Sequence, residues 1–133
     1  MNITYKSDAT LSIDQFIDIL TRSTLGERRP VNSRERIQKM LEHGNILITA
    51  WDGEKLVGVS RALSDFSFCC YLSDLAVDRA YQKKGIGKKL IDETHQQAGP
   101  LTSLILLAAP AAVYYYPKVG MEQFQNCFII RRN

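Results

Sequence analysis

The stretch from Cys69 to Ala98 constrains the fold of this chain more than any other. Cys69 to Val77 is a mostly apolar run of strand length, and Gly85 and Gly87 follow it with one residue between them. From Ile86 onward, Leu90, Ile91, Thr94 and Ala98 mark one helical face, and Gly99-Pro100 stops the pattern. Strand, glycine turn and helix in that order leave bare backbone amides at the helix start and aim its positive end at whatever binds there. Lys83, Lys84, Lys88 and Lys89 surround the turn, so the expected ligand is an anion, a phosphate or pyrophosphate.

Two common phosphate motifs do not fit this spacing. A dinucleotide fingerprint needs a third glycine where Leu90 stands and an acidic residue about 20 positions on, and neither is present. A P-loop needs a glycine five residues before Gly87, where Gln82 stands, and Ser or Thr after Lys88, where Lys89 stands.

The rest of the chain supplies a sheet and further helices. Asn2 to Lys6 alternates like a short strand, and Ile13, Phe16, Ile17 and Leu20 repeat at helical spacing. Asn32-Ser33 offers a cap, with Glu35 three residues after Asn32, for a second helix carrying Ile37, Met40 and Leu41 and closing at His43-Gly44. Ile46 to Trp51 and Lys55 to Ala62 read as strands joined antiparallel by an Asp52-Gly53 turn. Ser103 to Ala108 suits a buried strand, Pro110 and Ala111 to Tyr116 a short helix, and Phe124 to Ile130 a last strand. The order β-α-α-β-β-β-α-β-α-β predicts an α/β (α+β) fold, a mixed sheet flanked by helices.

At 133 residues the chain has the size of one domain, taken as residues 1–133. Apolar residues at 45% and charged residues at 23% exclude disordered and fibrous classes. A net charge of +3, from 17 basic and 14 acidic side chains, announces neither a nucleic-acid nor a membrane surface. Cys69, Cys70 and Cys127 are odd in number and lack C-x-x-C spacing, so no disulfide framework or metal site is expected. Met1 to Ser12 carries no basic region followed by an apolar run, and the cytoplasm is the expected location.

Gln82-Lys83-Lys84-Gly85-Ile86-Gly87, preceded by Leu75-Ala76-Val77-Asp78 and followed by Leu90, resembles the signature of the GNAT superfamily of N-acetyltransferases. A second block, Tyr116-Pro117-Lys118-Val119-Gly120-Met121 with Ala112 four residues before the Tyr, is similar to that family's late Tyr-x-Lys-x-Gly-Phe segment. The resemblance implies a mostly antiparallel central sheet of six to seven strands with a splayed fourth strand and about four helices. It also implies acetyl-CoA as donor, no metal, and direct attack of a neutral amine on the thioester.

Residue by residue, the resemblance puts the cofactor pyrophosphate on Lys83, Lys84, Gly85, Ile86, Gly87 and Lys88, with Gln82 opening the signature. It puts the pantetheine arm along the main chain of Leu75, Ala76 and Val77. Tyr116 would be the acid that protonates the leaving thiolate, although the run Tyr114-Tyr115-Tyr116 also suits packing. The family's frequent strand carboxylate falls on Tyr71, so the base stays open: Asp74 if a bulge turns it into the cleft, otherwise Asp65, Glu27, His43 or an ordered water. Ala109 stands where the family often has Asn, and Pro117 is expected to loosen or end the short helix at Tyr116.

The loop Thr24 to Pro30 between the first two helices would help build the acceptor pocket, with Arg28 and Arg29 either meeting an anionic acceptor or forming plain surface. The expected acceptor is the primary amine of a small molecule. A protein lysine or amino terminus, or a non-catalytic acyl-CoA sensor, is the alternative. Exposed late strands such as Cys127 to Arg131 suggest a homodimer.

Overall fold

The computed structural model describes all 133 residues. Five strands form one sheet in chain order: β1 (Ile3–Lys6), β2 (Ile46–Asp52), β3 (Lys55–Ser64), β4 (Cys69–Val77) and β5 (Ser103–Ile105). The first four are antiparallel neighbours, and β5 joins β4 in parallel. Helices α1 (Ile13–Arg22) and α2 (Arg34–His43) cover one face; α3 (Ile86–Ala98) packs on the other.

Local chemistry accounts for the element ends. Ser12 and Gln15 close α1 with a reciprocal capping box, and Ser33 rather than Asn32 caps α2 by accepting the Arg36 N–H. The β2–β3 hairpin turns through Gly53 at φ +61°, with Asp52 opposite Lys55. Each face of the sheet buries its own apolar cluster. Phe16, Ile19, Leu20 and Ile37 meet Leu56, Val59 and Ala76 on one side; Ile86, Leu90 and Ile91 meet Ile48, Val57 and Leu72 on the other. At Gly58 a Cβ would stand 3.1 Å from Leu90 Cδ1 and 3.3 Å from Ile86 Cγ2, so the missing side chain lets α3 lie close on the sheet.

Two features of β4 shape the cleft. Opposite Arg61 and Ala62 of β3 stand Asp74 and Leu72, leaving Ser73 as an extra residue, a bulge. On the other edge, β5 pairs with Cys69, Cys70 and Tyr71 only, so Leu72 to Val77 splay away without a ladder partner on that side.

The late part of the chain departs from expectation. Phe124 to Ile130 forms no strand, and the sheet has five strands rather than six or seven. Alternating apolar residues make a strand only where an edge lies within hydrogen-bonding reach, and β5 offers just three ladder residues. Phe124, Phe128, Ile129 and Ile130 are left exposed. The expected helix over Ala111 to Tyr116 divides into a single 3₁₀ turn, Pro110–Ala112, and α4 (Tyr115–Lys118). Pro117 does not end the helix at Tyr116: it occupies the first turn of α4, where a backbone N–H has no helical partner to lose.

Candidate active site

The glycine turn forms a cradle of bare amides at the start of α3. Lys83 (φ +65°) and Gly85 (φ +83°) both adopt left-handed backbone, which folds the turn back and makes Gly85 the helix cap. The first helical bond runs from the Lys89 N–H to the Gly85 carbonyl at 3.1 Å, so the N–H groups of Ile86, Gly87 and Lys88 have no partner within the helix. Ile86 and Gly87 are buried, while Gln82, Lys83, Lys84, Gly85 and Lys88 are exposed.

Not every lysine of the cluster serves the turn. Lys88 Nζ holds Asp92 at 2.6 Å and Lys89 Nζ holds Glu93 at 3.0 Å, each one turn along α3. Lys83 and Lys84 make no ion pair and remain free for an anion. Gln82 donates through Nε2 to the Val77 carbonyl at 3.1 Å, tying the turn to the end of β4.

Tyr115, which carried no role in the sequence reading beyond packing, stands over this cradle. A Cβ on Gly87 would lie 2.5 Å from the Tyr115 hydroxyl, and that hydroxyl sits against the Lys88 backbone N–H. The phenol oxygen thus covers the bare amides at the head of α3. Burial pushes the Tyr115 phenol up despite Lys88 nearby.

Tyr116 meets Tyr115 edge to face at 5.2 Å and packs on the cluster that also receives Leu75, Val77 and Ile86. The acid candidate, the splayed segment of β4 and the head of α3 therefore share one patch of core. Burial, reinforced by Tyr115, raises the Tyr116 phenol above its ordinary 10.0, and the Arg29 guanidinium draws it partly back. Such a phenol keeps its proton throughout neutral pH.

The bulge at Ser73 does turn Asp74 onto the face of Tyr71, but there both oxygens are taken. Arg29 Nε holds one and Arg61 Nε the other, and the carboxylate is wholly buried. As a proton acceptor in the cleft Asp74 is therefore a poor fit: its lone pairs are spoken for and no water reaches it. The sequence reading missed the Arg29–Asp74–Arg61 cluster because its members lie far apart in the chain.

The other base candidates fare differently. Asp65 accepts the backbone N–H groups of Ser67, Phe68 and Cys69, which lower it to about 2 and make it a turn anchor. His43 is exposed in the last turn of α2. Glu27 is exposed beside Arg28 on the α1–α2 loop.

Among the described residues no group of three His, Cys, Asp or Glu side chains converges as a metal site would require. No helix is long and apolar enough to cross a membrane.

Comparison with known proteins agrees with this geometry. The sequence model of a family described as "Acetyltransferase (GNAT) domain" matches residues 23–129. The uncharacterized N-acetyltransferase ycf52 of Pyropia yezoensis is 29% identical over 99 residues, 70% of this chain and 55% of that protein. The match thus spans about half the length of that protein and 30% of the chloroplastic GCN5-related N-acetyltransferase 2 of Arabidopsis thaliana.

In fold it resembles SA2161, a probable acetyltransferase of Staphylococcus aureus, with a TM-score of 0.80 at 17% identity, covering 98% of this chain and 100% of that one. It also resembles the aminoglycoside acetyltransferase meta-AAC0020 from an uncultured soil sample, seen with sisomicin, with a TM-score of 0.70 at 22% identity, covering 98% and 97%. The family match across residues 23–129, with a β4 that parts from β5 after three residues and a glycine turn at the head of α3, identifies the chain as a member of the GNAT acetyltransferase family.

Proposed function

We propose that the protein transfers the acetyl group of acetyl-CoA to the primary amine of a small molecule, with both substrates bound at once. The observation that carries this reading is the juxtaposition of three parts on one core cluster. They are the open N-terminus of α3, the unpaired stretch Leu75 to Val77, and the half-buried Tyr116.

The amides of Ile86, Gly87 and Lys88, with Lys83 and Lys84, hold the pyrophosphate, and Tyr115 yields its place to it. Main-chain groups of Leu75, Ala76 and Val77 pair with the pantetheine arm as a further strand would. Bound acetyl-CoA supplies the activated acyl group. Tyr116 keeps its proton at neutral pH and gives it to the departing sulfur. No carboxylate stands free on the splayed segment of β4, so the amine loses its proton to water or to Glu27 on the neighbouring loop.

Acetyl-CoA titration by calorimetry, followed by thiol release with a panel of primary amines, tests this reading. Tyr116→Phe should lower kcat by about 100-fold or more, the usual worth of a general acid, with acetyl-CoA affinity retained. No binding of acetyl-CoA would end the proposal, and near wild-type turnover in Tyr116→Phe would remove the acid. A protein lysine or amino terminus as acceptor would show as release with peptides and none with small amines.

We further propose that the protein works in the cytoplasm, where its three free cysteines stay reduced, and as a homodimer. The exposed Phe128, Ile129 and Ile130 and the short open edge at β5 support the dimer. Sedimentation showing only monomer would remove that part.

A further inference from the structure

The arginine cluster beside β4 has unequal charge. Asp74 is wholly buried, Arg61 has 7% of its side chain exposed and Arg29 22%, and no second carboxylate lies within 4.0 Å of either guanidinium. Two cations therefore share one anion, and the surplus charge rests on the more exposed Arg29.

Arg61 is committed: its Nε holds Asp74, Nη1 the Met40 carbonyl and Nη2 the Ser73 hydroxyl. Arg29 gives Nε to Asp74, one Nη1 hydrogen to the Arg28 carbonyl and one Nη2 hydrogen to the Ser73 carbonyl. Of five guanidinium hydrogens two remain, one on each Nη, for a carboxylate or phosphate to accept.

Arg29 also stands at a particular end of the cleft. It grips β4 at Ser73 and Asp74, and the anion cradle is tied to β4 at Val77. At about 3.3 Å per residue the two ends are roughly 13 Å apart along the unpaired edge. A donor with its phosphates on the cradle lays its other end toward Arg29. The Arg29 guanidinium draws the Tyr116 phenol down, so cation and phenol lie within electrostatic reach of each other.

We propose that the Arg29–Asp74–Arg61 cluster selects acceptors that carry an anionic group, a carboxylate or a phosphate, beside the amine. This rests on the transferase reading above. The anion would complete the charge balance of the cluster on the two free hydrogens of Arg29. Asp74 then acts as a positioning residue, holding the guanidinium fork in one orientation.

The test uses the full chain saturated with CoA, titrated by calorimetry with matched pairs: β-alanine against its amide, and phosphoethanolamine against ethanolamine. Each anionic member should bind at least about tenfold tighter than its neutral partner, and Arg29→Gln should shrink that gap to within about threefold with acetyl-CoA affinity unchanged. Arg61 still pairs Asp74 in that variant, and Arg29→Lys, which keeps the charge and loses the fork, should leave an intermediate preference. Whichever pair shows the larger gap names carboxylate or phosphate as the group.

Equal binding within both pairs, no binding of either anion at about 50 mM, or a preference that survives Arg29→Gln overturns the inference. Acetyl-CoA binding and amine-dependent thiol release are read on the same protein. A neutral-amine preference with intact acetyl-CoA binding overturns the acceptor class alone, whereas loss of acetyl-CoA binding overturns both.

Discussion

Asp74→Asn separates two roles for one carboxylate. As a clamp, Asp74 neutralises Arg29 and Arg61 in a place without solvent. An asparagine there offers one acceptor and turns an NH₂ toward the second guanidinium, donor against donor, with both cations uncompensated. Breaking a buried pair by removing one partner costs about 3–5 kcal/mol, against a total stability of about 5–15 kcal/mol for a domain. With an unfolding entropy near 2.1 cal/mol/K per residue, 133 residues give about 0.28 kcal/mol/K, so the melting temperature should fall by about 11–18 °C. Calorimetric melts of wild type and variant, with kcat measured well below both transitions, read the two roles apart. A melt within about 3 °C of wild type would refute the clamp, and if kcat then fell by orders of magnitude, Asp74 would be the base after all.

Three further outcomes follow from the geometry. Tyr115→Phe removes the oxygen that sits on Gly87 and the Lys88 N–H, so acetyl-CoA should bind about 2–10-fold tighter by calorimetry, the worth of one hydrogen bond; weaker binding would mean that the phenol contacts the bound phosphate instead. Gly85→Ala puts a side chain on a residue at φ +83° with open space around it, so the cost is backbone strain alone, about 1–2 kcal/mol in a denaturant titration. Asp65 is lowered to about 2 by three backbone N–H groups; Asp78, though burial pushes it up, is lowered on balance by the Ala80 N–H and Arg22. The unfolded chain takes up these protons first. Stability should therefore be full above about pH 5 and fall progressively toward pH 2, as followed by circular dichroism.

How much of this was legible in the sequence depended on how local the determining physics was. Gly85 and Gly87 fix the turn within a few residues, so the cradle could be read directly, as could the hairpin at Asp52-Gly53. The pairing of Arg29 with Asp74 spans 45 residues and depends on a bulge that no local pattern announces. Tyr115 looked like packing because its role depends on where α4 lies against α3. Phe124 to Ile130 has the composition of a strand, but a strand also needs a partner, and nothing in its own residues states whether one is present.

The extra residue at Ser73 links the Arg29–Asp74–Arg61 cluster to the splayed edge of β4. Continued alternation from Leu72, which faces α3, would place Asp74 on that same apolar face among Ile86 and Leu90, where no cation could meet it. The bulge instead puts Ser73 and Asp74 together on the face of Arg61, and it resets the phase so that Leu75 and Val77 face α3 while Ala76 joins Phe16 and Ile37. One inserted residue thus places the charge cluster and also aims the backbone of Leu75 to Val77. Drawing Ser73 into a regular ladder would have to bury the Asp74 carboxylate in hydrocarbon or invert Leu75 to Val77, and either change dismantles the charge cluster and the strand edge together.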